Sequence, residues 1–348
     1  MPGRDLLDKV MQSFRSALPG TWKSASWLLK LMIPISLAVA LLQHWGVLAW
    51  MAGYLNPLFS LLGLPGESAV LFISGAAAGT YAGVAAMMSV HLTLRQATIV
   101  GIMILICHAL PMECTVNHKT GSNFWKMGLI RIFMAFVAAM CLNLVLPVMS
   151  QPYMYIGAAA ESTLMQVLQT WFFSQVKISV MVFLIIYSLM VLQCLIEAYS
   201  LLAPLSRFLA PLMRLLGLPR NAAYMWLVGN VLGLSYGSAV MLDMEEKGQI
   251  TRAEANAVNY HLIMNHSMLE DTIVLAITGV SALWILGTRM LFALVVVWGR
   301  RVIRLKNKVY LGPLSILRYI VITLLRCSFC GLILNSQLAK SALNFQFE

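Results

Sequence analysis

Two stretches of this chain carry nearly the same text, one at Leu55 to Met87 (PLFSLLGLP, then GAAAGTYAG) and one at Leu209 to Met241 (PLMRLLGLP, then GNVLGLSYG). Pro57, Leu58, Leu61, Leu62, Gly63, Leu64 and Pro65 match Pro211, Leu212, Leu215, Leu216, Gly217, Leu218 and Pro219, and Gly75, Gly79 and Gly83 match Gly229, Gly233 and Gly237. The chain therefore contains a duplicated unit of roughly 150 residues. With 60% hydrophobic and 11% charged residues and a mean hydropathy of +0.81, it lies far from the roughly 25% charged content of soluble domains. An all-α polytopic membrane protein built from two related halves is the expectation.

The segments can be placed from the apolar runs. Residues 1–25 carry Leu6, Leu7, Val10, Met11 and Phe14 at helical spacing between charges, which predicts a separate amphipathic helix on the cytoplasmic surface. An uncleaved first span runs from Trp27 to Gln43, and an interfacial helix and turn from Trp45 to Leu64. Repeat 1 covers 26–150 and repeat 2 covers 165–301, each with a glycine-marked segment followed by two apolar helices. The remainder, 302–348, reads as a basic turn and an extra span near Leu311 to Leu334. Six scattered cysteines argue against a disulfide framework, and Cys327 and Cys330 have redox spacing without the βαβ context that such chemistry uses.

Charge decides how the halves relate. His44 to Pro65 has no Lys or Arg, whereas its counterpart carries Arg207, Arg214 and Arg220; Met149 to Gln175 has none, whereas the exit after Trp298 has Arg300, Arg301, Arg304, Lys306 and Lys308. Positive residues stay inside, so the sequence predicts two inverted-topology repeats, an N-terminus in the cytoplasm and a multi-pass protein of a bacterial-type inner membrane. Both ends of each repeat then lie on one side, so one of its three apolar segments must be broken or re-entrant. Lys119 and Lys126 do not fit this scheme cleanly. The net charge of +11 follows from topology and implies no nucleic-acid partner.

Polar anchors lie beyond the glycine rows. His108, Glu113, Thr115 and Asn117 in the first half, and Asn265, His266, Glu270, Asp271 and Thr272 in the second, are candidates for a central substrate or ion site, since ionisable groups at membrane depth face a cavity or a partner. Aligned by a shift of 157 residues, Glu113 matches Glu270 and His108 matches Asn265. Thr80, Tyr81, Asn230, Ser235, Tyr236 and Ser238 are further lining candidates, although the glycine rows beside them serve first as close packing surfaces. Lys177 in the second half reads either as a snorkelling base or as the partner of an acid. Two histidines and two acids suit a divalent metal, but no HExxH-type ligand motif accompanies them, and the metal is left unassigned.

No phosphate loop and no GxSxG elbow is present, so neither nucleotide hydrolysis nor another enzymatic activity is expected, and no cofactor. The LLGLP, glycine-row, basic-turn and His/Glu pattern between about Trp27 and Arg301 resembles the Gate-domain family, labelled nucleoside-recognition proteins. The halves look like a fused counterpart of spore maturation proteins A and B, and are similar to the membrane part of ferrous iron transporter B and, more distantly, to concentrative nucleoside transporters. The resemblance implies an inner-membrane permease for a small solute that is nucleoside-like, peptide-like or a cation, with H⁺ or cation coupling. The alternative it offers is a non-transporting membrane assembly or maturation factor of the spore maturation type. Expected partners are the lipid bilayer, the solute and further copies of the chain.

Overall fold

A computed structural model describes residues 2–155 and 163–308. Among them the structure is helical, with only an isolated bridge between Thr93 and Pro152. The candidate extra span at 311–334 and the Cys327/Cys330 pair lie outside the described residues.

Helix α1 (Pro2–His44) is continuous for 43 residues, so the N-terminal amphipathic segment is not a separate surface helix. Apolar spacing carries through Pro19 and Pro34, and the helix rises about 65 Å, twice the thickness of a ~30 Å hydrocarbon layer. Its main neighbour is α8 (Leu164–Ala198). The two are antiparallel: Phe14 meets Tyr187, Trp22 meets Phe183, and Ser36 donates to Gln175 at 2.7 Å. Helix α2 (Val47–Ser60) follows, and the chain turns after it at Gly63, φ 71°.

The glycine rows build hairpins. Helices α3 (Ser68–Ala78) and α4 (Thr80–Met87) turn at Gly79, φ 105°. They lie so close that a Cβ on Gly83 would stand 2.9 Å from the Ile104 side chain and 3.1 Å from the Gly75 Cα. The second half repeats this in α11 (Ala223–Val231) and α12 (Leu234–Glu246), which turn at Gly233, φ 92°; there a Cβ on Gly237 would meet the Gly229 Cα at 2.8 Å. Each hairpin reverses the chain direction inside one glycine-marked segment.

Next comes a helix interrupted midway: α5 (Leu94–Cys107) and α6 (Leu110–Lys119) in the first half, α13 (Arg252–Asn265) and α14 (Met268–Ile277) in the second. Each opens on a capping box, Thr93 with Gln96 and Thr251 with Glu254, so its start is encoded locally. The halves close with α7 (Phe124–Val145) and α15 (Ala282–Lys308). Because α15 continues to Lys308, the basic cluster expected to turn is helical. Between α8 and α11 lie the short α9 (Leu202–Leu209) and α10 (Leu212–Leu215), which carry Arg207 and Arg214.

The interrupted helices are antiparallel as well. Gly121 at the α6–α7 turn lies against Arg252 at the start of α13, and Gly279 at the α14–α15 turn lies against Leu94 at the start of α5. Ser122 donates to Asn256, and the guanidinium of Arg300 stacks on Tyr260 with Lys126 beside the same ring. Lys119 and Lys126 therefore sit at the end of the molecule that carries Arg252 and Arg300. Among the described residues, five stretches are long and apolar enough to cross a bilayer: Val10–His44, Leu94–Lys119, Phe124–Val145, Leu164–Ala198 and Ala282–Arg304.

Candidate functional site

Both interrupted helices break at a histidine. His108 and His266 leave the helix with extended backbone (ψ 156° and 164°), and the next residues, Ala109 (φ 44°) and Ser267 (φ 51°), are left-handed. A left-handed non-glycine residue costs roughly 1–2 kcal/mol, and the break strips carbonyls of their helical donors. Two arginines repair it. Arg131 on α7 donates from Nε to Ile106 O (2.8 Å) and from Nη2 to His108 O (2.9 Å); Arg289 on α15 does the same to Met264 O (2.9 Å) and His266 O (2.7 Å). Both arginines are fully buried. The freed N–H groups of Ala109 and Ser267 bond the carbonyls of Gly75 and Gly229, tying each break to its hairpin.

The remaining guanidinium nitrogen of each arginine meets an acid. Arg131 Nη1 pairs with Glu113 Oε2, and Arg289 Nη1 with Asp271 Oδ2 at 2.9 Å. The structural equivalence is therefore a shift of 158 residues, pairing His108 with His266, Glu113 with Asp271 and Arg131 with Arg289. The 157-residue alignment, which set Glu113 against Glu270, is corrected by one position. Glu270 instead accepts from Tyr81 Oη at 2.9 Å, and Asp271 Oδ1 accepts from Thr80 Oγ1 at 3.0 Å.

The two halves meet at Glu113. Its Oε1 is 3.0 Å from His108 Nε2 and 2.9 Å from His266 Nε2, and the two Nε2 atoms are 3.2 Å apart. Each Nδ1 faces a carbonyl oxygen, Leu105 O at 3.0 Å and Leu262 O at 2.7 Å. A carbonyl only accepts, so each Nδ1 carries a proton, and a ring that is neutral then presents a lone pair at Nε2. Two imidazole nitrogens and a carboxylate oxygen thus converge, an arrangement able to hold a proton or a metal ion.

A cavity of about 660 Å³ opens beside this cluster. Its wall includes both hairpin turns and both helix breaks, with His108, Glu113, His266, Glu270 and Asp271, and Lys23 and Trp27 contributed by α1. Among the second set of candidates, Thr80, Tyr81, Ser235 and Tyr236 reach it. The others are elsewhere. Thr115 is exposed and bonds Pro111 O; Asn117 and Thr272 are buried with side chains lacking a hydrogen-bond partner among the described residues. Asn265 packs with His261, itself bonded by Trp226, while Asn230 donates to Trp226 O and Ser238 to Ser235 O. Lys177 is exposed on α8.

Residues 25–114 match the family model named Gate, described as nucleoside recognition. Over that stretch the chain is similar to Gate-domain membrane proteins. An uncharacterized membrane protein, YvoD of Bacillus subtilis, is 28% identical to it over 275 residues, 77% of this chain and 87% of the relative. No solved structure matches. The Gate match ends at Cys114, within α6, and so includes the first hairpin, His108 and Glu113 while leaving out Arg131. Sequence reasoning passed over Arg131 and Arg289, although each stands inside an apolar run and they share one shift with the histidines. That coincidence was the available signal.

Proposed function

We propose that this protein is a transporter of the bacterial-type inner membrane, moving a small solute through the cavity between two inverted repeats. The observation that carries this is the cavity's position, where both hairpin turns, both helix breaks and the side chains of His108, Glu113, His266, Glu270 and Asp271 come together. Broken helices meeting at a central polar site are a transporter construction. The antiparallel courses of α1 against α8 and of α5–α6 against α13–α14 support the inverted reading.

The cavity is one-sided. Its α1 wall is Gly20 to Trp27, its α6 wall is Met112 to Val116, and its α8 wall is Ile186 and Met190, all toward the end that carries Lys119, Arg252 and Arg300. By the positive-inside rule that end is cytoplasmic, as is the start of α1. On the far side of Tyr81, the side chains of Met32, Met88, Ile178, Met181 and Val274 leave only about 10 Å³. We read this as an inward-open state with an apolar outer seal. A maturation factor without transport would call for a dry interface between the halves, and the cavity favours transport over it.

The test is uptake into liposomes by the purified chain across nucleosides, small peptides and divalent cations, comparing the wild type with Glu113→Gln plus Glu270→Gln. Wild-type-specific flux of one solute class, lost in the double variant, is expected. Absence of flux and of saturable binding for every class would sink the transport reading.

A further inference from the structure

We propose that His108, His266 and Glu113 form a binding site for one divalent first-row transition-metal ion. Geometry carries the proposal. The two Nδ1–H groups are spent on Leu105 O and Leu262 O, the outer contact that orients metal-ligating histidines and raises their basicity. Both Nε2 lone pairs therefore aim at one point, and the third donor aimed there, Glu113 Oε1, is anionic. Three acceptors 2.9 to 3.2 Å apart repel one another unless a proton or a metal ion lies among them, and the spacing of all three suits the larger ion. Tetrahedral ligands at about 2.0–2.1 Å from an ion stand roughly 3.3–3.4 Å from each other, so the cluster needs to open by only a few tenths of an ångström.

The surroundings hold the donors in place. Arg131 occupies Oε2 of Glu113, which fixes the carboxylate and leaves Oε1 free for the ion. Asp271 is already taken by Arg289 and Thr80, so it does not compete. The two helix breaks that present the histidines are anchored by the same arginines. Two neutral imidazoles and one carboxylate suit zinc, cobalt, nickel or ferrous iron rather than the all-oxygen shells of magnesium and calcium. The remaining coordination positions face the 660 Å³ cavity, so an ion can enter from that side and keep water or a solute donor atom as a further ligand.

The experiment uses the full chain, purified through a tag without histidine, stripped with a chelator and titrated with Co²⁺ while its visible absorption is followed. One equivalent should saturate, and Zn²⁺ should displace it. Loss of an outer partner already lowers metal affinity 10–100-fold, so His108→Ala and His266→Ala should each lower it about 100-fold or more, whereas Thr115→Ala on the exposed side of α6 should leave it unchanged. X-ray absorption of the cobalt-loaded wild type should show two imidazoles, and it needs no variant to fold. Absence of saturable binding, unchanged affinity in folded histidine variants, or a shell containing sulfur or a single imidazole would overturn the site. Liposome uptake separates this from the transport reading: binding without flux leaves the site standing and removes transport, and undiminished flux and binding in His108→Ala removes the site alone.

Discussion

The two halves place the same three residue types on the same backbone and use them differently. In each, a histidine breaks the helix, an arginine from the following helix covers the freed carbonyls, and an acid five residues after the histidine pairs with that arginine. Yet Glu113 holds both histidines, and Asp271 holds neither, bonding Thr80 instead. Glutamate is one methylene longer. From matched backbone positions Glu113 spans from Arg131 to the two imidazoles, whereas the shorter Asp271 is used up between Arg289 and the opposite hairpin. A near-symmetric scaffold thus yields a single site that belongs to one half's acid and both halves' histidines.

The sharpest way to break this comparison is to remove the shared part. Arg131→Met and Arg289→Met each strand a buried acid and two carbonyls, and breaking a buried pair in this way costs about 3–5 kcal/mol. Comparable, large losses of thermal stability in detergent are expected from both. If only one is destabilising, the halves do not share a support.

The acids should then separate the halves by function. Glu113→Gln is expected to cost Co²⁺ affinity about 100-fold, whereas Asp271→Asn should change it less than about fivefold while lowering stability by roughly 1–3 kcal/mol through the weakened Arg289 contact. Equal losses of affinity would mean that the asymmetry seen here does not govern binding.

Smaller effects test the hairpins. Gly83→Ala and Gly237→Ala each force a methyl against a backbone Cα at 3.1 and 2.8 Å, an overpacking worth about 1–3 kcal/mol, and chemical denaturation should register both. A hairpin that absorbs the methyl without loss would show that its glycines serve flexibility rather than contact.

The smallest difference lies in the caps of the two interrupted helices. Gln96 is neutral, whereas Glu254 carries charge and is held below the usual glutamate range by the Thr251 backbone N–H and side-chain contacts to Asn221 and Thr251. Its folded-state pKa is lowered, so its stabilisation is fully present above about pH 4.3, the unfolded value, and is lost as pH falls through the lower folded value. Hydrogen exchange at the start of α13 should rise below that pH in the wild type, and the start of α5 should show no such step. A pH-independent start of α13 would remove the charged cap from the account.

Much of this was legible beforehand because it rests on local or periodic signals. Glycines at i, i+4 and i+8 marked the close surfaces, and apolar length marked the membrane. His108, Glu113, His266, Glu270 and Asp271 were singled out because charge in an apolar segment is costly without a partner, and all five line the cavity. Thr115 and Asn265 were chosen by the same local pattern and point elsewhere. A shift of one residue is invisible to composition but rotates a helical side chain by about 100°, which is why the alignment by 157 paired the wrong acids.

What the sequence determined by itself is the duplicated all-helical scaffold, the charge asymmetry between its copies, and the neighbourhood of the polar anchors, since each follows from residue type and spacing along the chain. The tertiary structure decided that each glycine-marked segment reverses as a hairpin, that Arg131 and Arg289 support the breaks, and that Glu113 rather than Asp271 gathers both histidines. Those outcomes depend on side chains far apart in sequence, such as Glu113 with His266 and Thr80 with Asp271, meeting in space. Their distances are set by how the hairpins and interrupted helices pack, and no local pattern encodes them.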